Sequence, residues 1–166
     1  MRDEAQHRTD AKAGDAGDDV THLGTRPARR PPAPLNGTVS AQMQRMPRAS
    51  TGPELALRRE LHRLGLRFRV NHPGLPGRPD IALTRAKVAV FVDGCFWHRC
   101  SEHGTLPKNN SQWWLTKLER NVARDREKDA ALAELGWVTV HVWEHEDPTA
   151  AAARLRELWL QRRATR

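Results

Sequence analysis

The chain is 166 residues long, about one domain on a length scale of ~150 residues, which sets aside a two-domain enzyme. Its 28 Lys and Arg against 20 Asp and Glu leave a net charge of +8, which favours a polyanionic partner such as nucleic acid over a merely soluble basic protein. No run approaches the roughly 18 uncharged apolar residues of a membrane span, and Met1-Arg2-Asp3-Glu4 opens without the apolar segment of a secretory leader, so a soluble cytoplasmic protein with no membrane partner is expected.

Residues 1–39 scatter Val20, Leu23 and Leu35 among Asp, Gly, Ala, Arg and Pro, and contain Arg29-Arg30-Pro31-Pro32-Ala33-Pro34. So few apolar groups cannot offset the entropy of ordering, and a disordered, basic, Pro-rich tail is expected ahead of a domain over 40–166. Thr51-Gly52-Pro53-Glu54 has the capping-box pattern, and Leu57, Leu61 and Leu64 share one face before Gly65, so a helix is predicted over about 52–64. Three short strands follow, over Arg67 to Val70, Asp80 to Leu83 and Lys87 to Val92, the last with the continuous apolar run of a strand buried on both faces.

A long helix is predicted over about Ser111 to Leu135, with Trp114, Leu118, Val122, Ala131, Leu132 and Leu135 inward and Gly136 as its stop. Trp137 to Trp143 alternates as a strand should, and Asp147-Pro148 opens a last helix carrying Leu155, Leu158 and Trp159. The order helix, three strands, helix, strand, helix implies an α/β sandwich with a mixed sheet, because the strand after the long helix can return by a crossover.

Two carboxylates stand at the ends of adjacent strands: Asp80, within Gly77-Arg78-Pro79-Asp80, and Asp93, directly after the third strand. Pairing of those strands would bring both to one edge, within reach of a hard cation such as Mg²⁺, as in nucleases that neutralise charge on a phosphate. Pro-Asp is also an ordinary strand start. The Lys that usually stands two residues after the second acid is replaced by Cys95, so another group must activate water. His98 can do so, though it could equally be a solvated loop residue or a metal ligand. Glu54 is a further candidate at the centre, explained nearly as well by helix capping.

Both cysteines of the chain lie in Cys95-x4-Cys100-x2-His103, three quarters of a structural zinc site, with His145 as the natural fourth ligand. The spacing leaves open whether His98 takes the place of His103. Phe96-Trp97 cannot both face the core from such a loop, so at least one is expected to project outward and wedge into a base stack. Trp114 suits either a second wedge or the core. Lys108, Lys117, Arg120, Arg124 and Arg126 are suited to phosphate contact or to a solvated helix face.

These segments together resemble the very-short-patch repair (Vsr) DNA mismatch endonucleases: Leu75-Pro76-Gly77-Arg78-Pro79-Asp80, Val90 to His98, Asn121-Val122-Ala123-Arg124-Asp125-Arg126, Leu135-Gly136-Trp137 and Val142-Trp143-Glu144. The resemblance covers about Ser40 to Pro148. It implies a restriction-endonuclease-like, PD-(D/E)xK-type αβββαβα sandwich with a mixed central sheet and a structural zinc. It further implies Mg²⁺-dependent nicking of double-stranded DNA 5′ to the T of a T:G mismatch left by 5-methylcytosine deamination. By the same resemblance Asp80 is the metal-binding catalytic aspartate, and Val92 lends a backbone carbonyl to Mg²⁺. His98 is the catalytic histidine, with Glu54 near the centre and Asp125 behind it.

Cys95, Cys100, His103 and His145 match the zinc positions, and Phe96, Trp97 and Trp114 the intercalating aromatics, with Met43 approaching from the N-terminal arm. Lys117 and Asn121 match positions that contact the mismatched pair. The best-known member has Thr-His where this chain has Val92-Asp93, more histidines in the zinc loop, and Cys at the place of His145. Asp93 would add a direct carboxylate to the metal site if it ligates, which the pattern leaves open. A monomer acting at the nucleoid is implied, with mismatch-repair proteins as further partners. Two other readings fit the residues: a restriction-type nuclease on the same fold, indifferent to mismatches, and a zinc-stabilised DNA-binding module without catalysis.

Overall fold

The structure, a computed structural model, describes Ala41 and residues 49–165; the N-terminal tail and Met43 lie outside the described residues. Helix α1 (Gly52–Arg63) carries Pro53 in its first turn, where a missing N–H costs nothing. Its Leu57 and Leu61 face the sheet. The helix closes by donating the Gly65 N–H to the His62 carbonyl and the Leu66 N–H to the Leu61 carbonyl. This is the Schellman arrangement, and Gly65 supplies it with a φ of +77° that a side chain would resist.

The capping box expected at the other end does not form. The Thr51 hydroxyl donates to Glu54 Oε1 instead of accepting a backbone N–H, and Glu54 Oε2 takes the Ser50 N–H, one residue before the cap. The physical reason is Arg58, one turn on, whose guanidinium holds Glu54 at 2.8 Å.

The sheet has the order β1-β2-β3-β4, with β1 (Arg69–Val70), β2 (Ile81–Leu83), β3 (Val88–Asp93) and β4 (Val138–Trp143). The first two pairings are antiparallel and β3 with β4 is parallel, so the sheet is mixed as expected. Strand β1 is shorter than predicted because β2 offers it only Ala82 and Ile81 as partners. Asp80 lies just before β2, and Asp93 is the last residue of β3, not the residue after it.

Helix α2 (Ser111–Glu134) crosses from β3 to β4 over one face, and α1 with α3 (Pro148–Ala164) covers the other. Alternation along β3 serves both layers. Val88 and Val90 pack with Leu57, Leu61 and Leu155, while Ala89 packs with Leu75 and Leu132. Each of those leucines contributes about 1.5–3 kcal/mol by leaving water.

On α2, Leu118 and Leu132 are buried, whereas Trp114, Val122 and Ala131 are half-buried. Leu135 is a correction: it is the C-cap, 49 % exposed, outside the helical stripe that was to turn it inward. Gly136 and Trp137 repeat the Schellman closure on Ala133 and Leu132. Between the two buried leucines the inward stripe becomes polar, with Asn121, Asp125, Lys128 and Asp129 half-buried. Asp147 caps α3 as predicted, accepting the Thr149 and Ala150 N–H groups.

Candidate functional site

The ends of β2, β3 and β4 and the loop after β3 bring most of the sequence-predicted residues into two adjoining polar clusters. In the first, Asp80 Oδ2 accepts the Val92 N–H at 2.8 Å, locking the carboxylate that precedes β2 to the end of β3. Burial pushes the Asp80 carboxyl up to about 6, and the negative charges of Glu54 and Asp93 add to this against the Val92 hydrogen bond and Arg58. A carboxylate in that state is stabilised by a cation.

Glu54 is buried beside it. Arg58 donates to Glu54 Oε2 and, at 3.2 Å, to the Asp80 carbonyl, so helix α1 braces the segment that positions Asp80. The Arg58 Nε is buried with no hydrogen-bond partner among the described residues. Sequence reasoning missed Arg58, although its place four residues after Glu54 on one helix face was a usable signal.

His98 leaves β3 on a turn in which the Gly94 carbonyl accepts the Trp97 and His98 N–H groups. Its Nδ1 lies 2.7 Å from Asp125 Oδ2, and Asp125 Oδ1 accepts from Lys128 Nζ at 2.8 Å. Burial acts to raise the Asp125 carboxyl, but the Lys128 and His98 hydrogen bonds prevail and hold it below the usual carboxylate range. With Nδ1 occupied as donor, Nε2 is the His98 nitrogen with a lone pair to offer.

Asp93 was expected at the metal edge. Its Oδ2 in fact lies 2.6 Å from His141 Nδ1, and its Oδ1 faces His98 Nδ1 at 3.9 Å. His141 Nε2 reaches Asp129 at 3.2 Å. The hydrogen bond to Asp93 is the chief reason that His141 is raised to about 9, against an opposing effect of burial and with Asp129 assisting. Neither His141 nor Asp129 was anticipated. The signals were a lone histidine in the alternating Val138–Trp143 strand and two acids, Asp125 and Asp129, one turn apart on α2.

In the second cluster the ligand atoms of Cys95, Cys100, His103 and His145 lie within 4.8 Å of one another. Two sulfurs and two imidazole nitrogens at that separation suit a tetrahedral metal ion. Of the two histidines that spacing left open, His103 lies in this cluster, and His98 turns to Asp125. Burial, with Cys100 and Glu144 alongside, pushes the Cys95 thiol up to about 11. Such crowding is relieved when a divalent ion converts thiols to thiolates. Glu144 also accepts the Cys95 N–H at 2.7 Å, tying the loop to the end of β4.

Aromatic side chains fill the space beside His98. Phe96 meets Trp97 and Trp114 edge-on at 4.9 and 5.4 Å, and Trp113 meets Trp114 at 4.9 Å. Phe96 and Trp97, at least one of which was expected to project outward, are both half-buried, each packed against the other and Trp114. Lys117 Nζ sits 4.9–5.1 Å from the Trp97, Trp113 and Trp114 ring centres. Burial, aided by Arg124, lowers its ammonium from the ordinary lysine range. Asn121 donates to the Trp97 carbonyl at 3.2 Å and accepts from Arg124, so the α2 side chains expected at a nucleic acid also hold this loop.

Comparison with known proteins points the same way. A family model described as DNA mismatch endonuclease Vsr matches residues 36–103. A type II nicking enzyme of Lentzea aerocolonigenes, V.NaeI, is 47 % identical over 127 residues, covering 74 % of this chain and 76 % of its own. V.XorIIP of Xanthomonas oryzae, also a type II nicking enzyme, is 44 % identical over 119 residues, 70 % of this chain and 88 % of its own. The DNA mismatch endonuclease Vsr of Escherichia coli is 39 % identical over 110 residues, covering 64 % and 69 %.

Proposed function

The chain belongs to the Vsr family of DNA mismatch endonucleases, and from that premise we propose that it nicks double-stranded DNA on the 5′ side of the T in a T:G mismatch. The observation that carries the reading is the pairing of a half-buried Asp80, fixed by the Val92 N–H, with a His98 whose Nδ1 is held by Asp125. One group suits a cation and the other a proton. The restriction-endonuclease-like assignment rests on the same αβββαβα order around a mixed sheet.

Asp80 and the Val92 carbonyl would hold Mg²⁺, which when bound would neutralise charge on the phosphate and acidify water. His98 Nε2 takes a proton from the attacking water or passes one to the leaving oxygen, and Asp125 fixes its tautomer and steadies the imidazolium. Glu54 and Arg58 brace Asp80 from α1. Asp93, with its carboxylate turned to two imidazoles, is assigned to the histidine side of the centre and not to the metal.

Cys95, Cys100, His103 and His145 would hold a structural Zn²⁺ that pins the loop carrying His98. Phe96, Trp97 and Trp114 offer ring faces for stacking between bases, while Lys117, Asn121 and Arg124 offer donors to the mismatched pair and its phosphates. The names of the relatives as nicking enzymes support cleavage of one strand. Protein partners, if engaged, are those of mismatch repair, and a monomer at the nucleoid suffices for this chemistry.

The test is a duplex series identical but for one pair, T:G, T:A or C:G, incubated with the full chain and Mg²⁺. A single nick in the T strand of the T:G duplex alone is expected. Equal cutting of all three identifies a mismatch-indifferent restriction-type nuclease, and binding without cleavage in Mg²⁺ or Mn²⁺ identifies a non-catalytic module.

A further inference from the structure

We propose that His141 is a positioning residue of the nicking centre, clamped between Asp129 and Asp93 so that the buried Asp93 carboxylate is presented to His98 and kept from turning elsewhere. The proposal rests on the reading of His98 as the proton-transfer group. Its structural basis is the parallel register of β3 and β4, which sets Phe91 opposite His141. Asp93 lies two residues beyond Phe91 and therefore on the same face, the face covered by α2.

The His141 ring stacks on Phe91 at 5.5 Å with an interplanar angle of 21°, which fixes its plane. In that plane one ring nitrogen meets Asp93 at 2.6 Å and the other meets Asp129 at 3.2 Å. The result is a continuous chain of groups, Asp129, His141, Asp93, His98 and Asp125, running from one turn of α2 across both strands and back to the preceding turn.

Asp93 needs such a partner. It is only 6 % exposed, and a buried carboxylate left without a hydrogen-bonding partner is strongly disfavoured. Two imidazoles are in reach, at 2.6 Å and 3.9 Å. With His141 present, Asp93 has its hydrogen bond there, and His98 Nδ1 is left to Asp125. Without His141, Asp93 has the His98 imidazole as its nearest hydrogen-bonding partner, and rotation toward it draws the imidazole from the Asp125 direction. His141 therefore acts on the reaction through Asp93 and His98 and touches no substrate. Removing the partners that orient a metal-ligating side chain typically costs about 10–100-fold in activity, and a loss of that order is expected where the oriented group is a proton-transfer histidine.

The test uses the full chain and two readouts. In single-turnover nicking of the T:G duplex, His141→Ala is expected to lower the rate about tenfold or more with DNA affinity unchanged, and added imidazole to restore part of the loss. Coupling Asp93→Asn to His141→Ala should cost less than the two separate losses combined, because the unpaired carboxylate is then gone. The second readout does not need catalysis: ¹⁵N histidine spectra should show the His98 Nδ1–H form in the wild type and its loss or redistribution in His141→Ala, with recovery in the double variant. Unchanged His98 signals in His141→Ala overturn the proposal whether or not the protein nicks. If the spectra shift as expected while the wild type leaves T:G DNA intact, the functional reading fails and the clamp stands. A fall in nicking matched by a fall in thermal stability, with no rescue by imidazole, reduces His141 to a structural role and also overturns it.

Discussion

The two polar clusters are joined by a single loop, yet they solve the problem of buried charge in opposite ways. Around Asp80 and His98 the protein supplies its own partners: Arg58 for Glu54, His141 for Asp93, and Lys128, with a hydrogen bond from His98, for Asp125. Around Cys95 the neighbours are another thiol, two imidazoles and the Glu144 carboxylate, and the thiol is pushed up to about 11. The first cluster is prepared before any ion arrives, with only Asp80 left in want of a cation. The second is a set of donors suited to a metal ion and supplied with no cation of its own among the described residues. This difference separates chemistry from architecture: loss of the first set should spare folding and stop the reaction, and loss of the second should do the reverse in order, unfolding the loop and so silencing His98.

The sharpest way to break this contrast is at Asp80. Asp80→Ala should lower nicking by at least about a hundredfold while leaving the fold and DNA binding near wild type, measured by single-turnover kinetics beside a binding isotherm. A comparable loss of binding would place Asp80 in the scaffold. On the other side, Cys100→Ser, or chelation of the wild type, should remove stoichiometric zinc and cost several kcal/mol of stability, read as a fall in the thermal midpoint. A zinc-free protein with unchanged stability would dissolve the distinction between the clusters.

Much of the first cluster was legible because its residues sit in short, ordered segments. The apolar strand run just before Asp93, the Pro79-Asp80 start, the Gly65 and Gly136 stops and the Cys/His spacing each encode local geometry that survives into the fold. What escaped was long-range pairing. Whether Asp93 faces a metal or an imidazole depends on β3 and β4 being in register, and on α2 placing Asp129 and Asp125 over them, which no local window contains. Arg58 illustrates the reverse error, since a helix-cap pattern at Thr51 and Glu54 was diverted by a cation one turn away. Leu135 shows the same limit for an apolar residue: a cap position turned the leucine outward.

Smaller effects refine the comparison within the first cluster. Asp125→Asn keeps the shape but not the charge that holds the His98 tautomer, so nicking should fall about 10–100-fold with binding and stability little changed. A matching drop in thermal midpoint would argue that Asp125 is chiefly structural. His141 offers the smallest and most diagnostic shift. In the folded chain its pKa, about 9, lies above the 6.5 of a free histidine, so its contribution to stability is complete below about pH 6.5 and fades as pH rises through 9. The stability advantage of the wild type over His141→Gln should therefore be largest in mild acid and shrink toward pH 9. An advantage that is flat, or that grows with pH, would contradict the ion pair with Asp93.

The central claim is that one prepared centre, Asp80 with His98, cuts one strand at a mismatch. It is tested most directly by mapping, at nucleotide resolution, the products of the wild-type chain with Mg²⁺ on a T:G duplex labelled on each strand in turn. A single break 5′ to the mismatched T, absent from His98→Ala and from the T:A control, is the result the account predicts. Breaks in both strands, or the same break in the T:A duplex, would contradict it.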